Sequence, residues 1–113
     1  MHELSITEEM LKLVLEQAEK ADISQVHKIN LVIGELTGFA GDSIQFYFDI
    51  ISKDSIAEHA QLSFTMMPGK LKCRDCGKTF ILKNFDYVCP YCQSNNVQLI
   101  GGRDLFVDSI EGD

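Results

Sequence analysis

Two C-x-x-C pairs, Cys73-Arg-Asp-Cys76 and Cys89-Pro-Tyr-Cys92, lie 12 residues apart and constrain this chain more than any other feature. Two residues between cysteines let each pair turn both sulfurs inward on a tight knuckle. Two knuckles then supply the four thiolates of a tetrahedral Zn²⁺ site. Gly77, directly after the first pair, supplies the backbone freedom such a knuckle needs, and Pro90 stiffens the second. A rubredoxin-like iron centre and a redox dithiol are the other uses of this spacing. The stretch 70–103 around the cysteines is too short to bury a core of its own, so the binding energy of the ion becomes folding energy. With thiolate at all four positions no place remains for water or substrate, and the expected zinc, on Cys73, Cys76, Cys89 and Cys92, is structural rather than catalytic.

The remainder of the 113 residues must supply the core, and with 45% hydrophobic residues overall it can. The opening MHELSITEEM carries acids where a signal peptide carries bases, and no apolar run approaches the roughly 18 residues that span a bilayer. The sequence thus predicts a soluble cytoplasmic protein with no membrane association. Thiols stay reduced there, which favours metal ligation over disulfides. The net charge of −7 is uneven: residues 70–103 hold six bases and two acids, leaving four bases and 15 acids elsewhere. An acidic body repels phosphate, and the four net positive charges of the cysteine module are halved by the −2 of a ZnCys₄ centre. No nucleic-acid partner is predicted.

Ser5-Ile-Thr-Glu8 has the form of a capping box, and Met10, Val14 and Ala18 follow at helical spacing, which predicts a helix from about 6 to 21. Ile29, Leu31 and Ile33 alternate as a strand before Gly34. The loop Thr37–Asp42 ends at an expected N-cap, Asp42 or Ser43, and Ile44, Tyr47, Phe48 and Ile51 mark a second helix over about 43–54. Leu62, Phe64 and Met66 form a second strand closed by Pro68-Gly69. Phe106 and Ile110 mark a third, with Gly101-Gly102 as the return from the module. The expected fold is α+β: two helices packed on one face of a three-stranded sheet (1–69 plus 104–113), with a zinc ribbon (70–103) inserted.

No Ser/His/Asp or Cys/His arrangement and no Gly-rich phosphate loop is visible, so nothing points to an enzyme. His2 directly follows the initiator. A free α-amine, the backbone nitrogens of His2 and Glu3 and an imidazole can close five- and six-membered chelate rings around one ion, and nitrogen-rich planar sets favour Ni²⁺ or Cu²⁺ over zinc. A lone histidine is equally an ordinary surface residue, the reading given to His27 and His59.

Met1-His2-Glu3 at the start, Ile33-Gly34-Glu35-Leu36 closing the first strand, and C-x-x-C-G plus C-P-x-C in an inserted ribbon together resemble the HypA/HybF family. These are nickel metallochaperones for the maturation of NiFe hydrogenase. The resemblance spans essentially the whole chain. It implies that His2 is the key ligand of a transported Ni(II), with the Met1 amine and the backbone of Glu3 as companions, and that the four cysteines hold a structural Zn(II). Asp42 matches an acidic position near the nickel end in some members. The implied partners are a HypB-type GTPase, the hydrogenase large-subunit precursor, in some bacteria a urease accessory protein, and a second copy in a homodimer. In one respect the sequence departs from some relatives: Gln93 follows Cys92 and no histidine occurs after His59, so no role for a ribbon histidine is carried over. On the residues alone, a zinc-ribbon adaptor for nucleic acid or protein is the rival reading.

Overall fold

The computed structural model describes residues 2–113, with side chains from Glu3 onward. The elements run α1 (His2–Lys20), β1 (Val26–Gly34), a short 3-10 turn (Glu35–Thr37), α2 (Gly41–Ile51), β2 (Gln61–Met67), β3 (Lys70–Cys73), β4 (Thr79–Ile81), β5 (Val97–Gly101) and β6 (Leu105–Gly112). They divide into two compact units: one holds the residues up to Val32, Phe39–Thr65 and Leu105–Asp113, the other Ile33–Gly38 and Met66–Asp104. Among the described residues no helix is long and apolar enough to cross a membrane.

The first unit is two helices on a three-stranded sheet of order β2-β1-β6, the α+β arrangement expected. Val14 and Ala18 of α1, Ile29 and Leu31 of β1, Ile44 and Phe48 of α2 and Leu62 of β2 are buried and form its core. Burying each of the larger side chains stabilises the fold by about 1.5–3 kcal/mol. Three expectations are corrected. Helix α1 begins at His2, not near residue 6, so Ser5 is an exposed residue of its first turns rather than a cap. The buried Thr7 hydroxyl donates to the Glu3 carbonyl one turn back, and Glu3 places its negative charge in the first turn, where the helix dipole favours it. Helix α2 begins at Gly41 with Ala40 as its N-cap and no side-chain cap, so neither Asp42 nor Ser43 caps it. The Ala40 N–H is taken instead by the Glu3 carboxylate of α1 at 2.8 Å. In β6 the inward residues are Leu105, Val107 and Ile110 while Phe106 is exposed, so the alternation changes parity beyond Val107. At the same place Asn30 of β1 donates from its amide to Ser109 Oγ at 3.0 Å and to the Glu111 carboxylate at 2.8 Å.

The second unit centres on β3, which pairs antiparallel with β4 on one side and β5 on the other. Leu71 and Leu82 are buried in it. The Ile33-Gly-Glu-Leu36 segment is strapped to the exit of β5: the Gly34 N–H donates to the Asp104 carbonyl at 2.7 Å and the Leu36 N–H to the Gly102 carbonyl at 2.8 Å. Gly102, the expected return, has φ +89°, and a Cβ there would lie 2.6 Å from both Gly69 Cα and the Pro68 carbonyl oxygen. Gly102→Ala therefore meets a left-handed backbone and fixed main-chain atoms together. It is expected to lower stability by more than the roughly 1–2 kcal/mol of a left-handed residue alone, as read from denaturant unfolding.

Candidate metal centre

Each C-x-x-C pair folds into the same knuckle. In the first, the Gly77 N–H donates to the Cys73 carbonyl at 2.9 Å and the Cys73 N–H to the Lys78 carbonyl at 2.9 Å. In the second, Gln93 N–H to Cys89 carbonyl (2.9 Å) and Cys89 N–H to Ser94 carbonyl (2.8 Å) repeat the pattern. Gly77 and Gln93 occupy equivalent left-handed positions, φ +78° and +66°. The first suits glycine at no steric cost, and the second strains a glutamine. The knuckles are braced to each other by Asp75, whose carboxylate accepts from the Ser94 hydroxyl and, at 3.2 Å, from the Asn96 amide. These bonds hold Asp75 below the usual carboxylate range. The Arg74 N–H adds a bond to the Asn96 carbonyl at 2.9 Å.

The four predicted cysteines converge. Cys73 and Cys92 sulfurs lie 3.6 Å apart, Cys76 and Cys89 sulfurs 3.7 Å, and all four within 4.8 Å of one another. A tetrahedron with Zn–S bonds of about 2.3 Å has edges of about 3.8 Å, so the spacing fits one ion with four thiolates. The same spacing is far outside the ~2.05 Å of a disulfide. Cys73 and Cys89 are buried, whereas Cys76 and Cys92 face solvent. The backbone N–H of Cys76 brings the Cys73 thiol down to about 7. At Cys92 the Ser94 N–H favours the thiolate, but the neighbouring Cys73 sulfur, with the loss of water on the side turned to the cluster, outweighs it and pushes the thiol up to about 12. Cys76 is likewise raised: the Lys78 N–H works against the shift, and burial and the Cys89 sulfur prevail. Crowded sulfurs cannot all ionise unless a cation joins them.

In the first unit, Glu3 is tied by its carboxylate to Ala40, and Asp42 is exposed in the first turn of α2 two residues further on. Met1 and the His2 side chain lie outside the described residues. Three features escaped sequence reasoning: the Glu3–Ala40 bond, the Asp75 brace and the strained Gln93. Superposing C-x-x-C-G on C-x-x-C-Q would have revealed the last.

A family model described as "Hydrogenase/urease nickel incorporation, metallochaperone, hypA" matches residues 1–112. The chain belongs to the HypA family. A hydrogenase maturation factor HypA from Dehalococcoides mccartyi strain CBDB1 is 49% identical over the whole chain and 95% of its own length. One from Caldanaerobacter subterraneus subsp. tengcongensis is 40% identical, covering 98% of each. The solution structure of the Ni metallochaperone HypA from Helicobacter pylori superposes with a TM-score of 0.74 at 25% identity, covering 97% of this chain and 96% of that one. A second HypA solution structure gives 0.79 at 27%, covering 99% and 96%. HypA proteins are nickel-incorporation metallochaperones of hydrogenase maturation, not enzymes, and the resemblance read from Met1-His2-Glu3, Ile33–Leu36 and the cysteine pairs is thereby shown.

Two outcomes follow from the thiol cluster. Since Cys76 and Cys92 hold their protons at neutral pH and a thiolate ligand cannot, metal uptake releases both. Zinc affinity measured by chelator competition should therefore rise about a hundredfold or more per pH unit near pH 7 and fall as pH drops. Cys73→Ser or Cys92→Ser should lose the metal and melt the second unit while much of the helix signal in circular dichroism survives, because the first unit carries its own core.

Proposed function

We propose that this protein carries Ni(II) at its N-terminus and delivers it during maturation of NiFe hydrogenase, while Zn(II) on Cys73, Cys76, Cys89 and Cys92 holds the ribbon. Family membership over residues 1–112 carries the reading. The nickel ligands are the Met1 amine, the His2 imidazole and the backbone nitrogens of His2 and Glu3, with Asp42, two residues after the Ala40 that Glu3 holds, as a further candidate. Helix α1 starting at His2 supports this set, because the first N–H groups of a helix have no intrahelical partner and can be surrendered to a metal without breaking the helix. The Glu3 carboxylate, engaged by Ala40, leaves the Glu3 backbone as that residue's donor. Such donors can be competed for by protons and by a partner's ligands, so transfer needs docking rather than unfolding.

The expected partners are a HypB-type GTPase, the hydrogenase large-subunit precursor, a urease accessory protein where that enzyme is present, and a second copy of the chain. The site of action is the cytoplasm. Residues 1–69 plus 104–113 act as the nickel-binding domain and 70–103 as the zinc-ribbon domain.

His2→Ala should abolish stoichiometric nickel binding with little change in melting temperature. Residues added before Met1 should weaken nickel binding, since they convert the amine, whose pKa of about 8 lets a metal displace its proton, into an amide. Affinity should also fall as pH drops, because each donor releases a proton on binding. Calorimetric nickel titrations of tagged and tag-free protein at two pH values decide the matter: equal affinities would remove the amine from the ligand set.

A further inference from the structure

The ribbon exposes apolar side chains that its zinc site does not need. Between β4 and the second knuckle runs an open groove of about 500 Å³, with Phe80, Ile81, Val88, Pro90 and Tyr91 among its lining and Lys83 in its wall. Tyr91 is 58% exposed, far more than a side chain packed for stability. Beside the groove, Lys83-Asn-Phe-Asp86 forms a tight turn closed by the Asp86 N–H to the Lys83 carbonyl at 3.0 Å. Both central residues are left-handed, Asn84 at φ +54° and Phe85 at φ +57°. Turns of this shape ordinarily place Asn-Gly there. A phenylalanine in the left-handed region is strained, and here the strain holds a side chain that is 76% exposed. Packing within the chain does not explain it. Strain kept at an exposed aromatic is the mark of a contact residue.

The charges around the groove say what it fits. In the β3–β4 register Lys70 stands opposite Ile81 and Lys72 opposite Thr79, and cross-strand partners share a face, so both lysines stand on the Ile81 face of the sheet, one strand in from β4. Lys78 Nζ sits 4.6 Å over the Tyr91 ring, and Lys83 stands in the wall. The lining itself balances Lys83 against Asp86, and the positive excess comes from Lys78 over Tyr91 and from Lys70 and Lys72 on the Ile81 face of the sheet. An apolar floor with a basic rim matches a protein segment that is acidic and carries an aromatic or aliphatic anchor. Single-stranded nucleic acid also uses bases and aromatic rings, and Phe85 and Tyr91 offer it stacking faces, but the aliphatic Ile81, Val88 and Pro90 do not, and a chain of net charge −7 repels a phosphate backbone.

We propose that this groove is a docking site for an acidic segment of a partner protein bearing an apolar anchor residue, with Phe85 and Tyr91 as its contact aromatics and Lys78 and Lys83 as its charge readers. The site belongs to the ribbon alone and does not depend on where nickel binds.

The test uses the zinc-loaded full chain and displayed random peptides of about a dozen residues. Selected peptides should be enriched in Asp and Glu around one large apolar residue. Their affinity should fall at least about tenfold for Phe85→Gly and for the Lys78→Glu/Lys83→Glu double variant, both at unchanged zinc content. Phe85→Gly should leave the melting temperature unchanged or raised, because glycine suits the turn. Selected peptides with no acidic excess, or equal affinity for parent and variants, would overturn the proposal. So would a marked loss of stability in Phe85→Gly, which would make Phe85 a packing residue. Tighter binding of a uridine oligonucleotide of similar length, weakening steeply with salt, would replace the proposal with nucleic-acid recognition.

Discussion

Four thiols held within 4.8 Å of one another form an arrangement that only a cation stabilises. Without one, ionising each sulfur raises the cost of ionising the next, so the Cys73 sulfur helps push Cys92 up to about 12, while the Cys76 N–H brings Cys73 down to about 7. The surrounding ribbon is organised to make this cluster tolerable once the ion is present. Backbone N–H groups of Cys76, Lys78 and Ser94 point at sulfurs, and Asp75 binds one knuckle to the other through Ser94 and Asn96. Three short strands, with Leu71 and Leu82 as their buried leucines, could not impose that geometry on their own.

Much of this was legible because the relevant signals are local. The spacing of Cys73, Cys76, Cys89 and Cys92 specifies a donor set whatever the rest of the chain does, and the apolar periodicities of Met10–Ala18 and Ile44–Phe48 locate both helices. Helix starts were misjudged for one shared reason. Ser5 and Asp42 satisfy the local rules for caps, yet the Ala40 N–H is satisfied by Glu3, 37 residues away in the chain. No window of sequence contains that bond. The parity change in β6 was hidden in the same way, since Phe106 and Ile110 read as one face until Asn30 of the neighbouring strand is seen reaching Ser109 and Glu111. The fold also brings Glu3 and the α2 start together, which the sequence order alone does not suggest.

The Glu3–Ala40 bond also ties the two helices at the end where the N-terminus begins. Its carboxylate sits at the start of α1 and accepts from the N-cap of α2, so one negative charge serves two helix N-termini.

In the chain the ribbon is spliced between β2 and β6, so its folding sets the free length between those two strands. When the ribbon is folded, its entry at Pro68-Gly69 and its exit at Gly102 are packed against each other. The chain therefore leaves and returns at nearly one point. When the ribbon is unfolded, β6 hangs on a slack tether of about 34 residues, and closing a loop of that length costs about 3 kcal/mol of chain entropy. The ion thus acts as a knot in a rope: it shortens the free length between two strands of another sheet, and its loss would be felt there as a longer leash rather than as a broken contact.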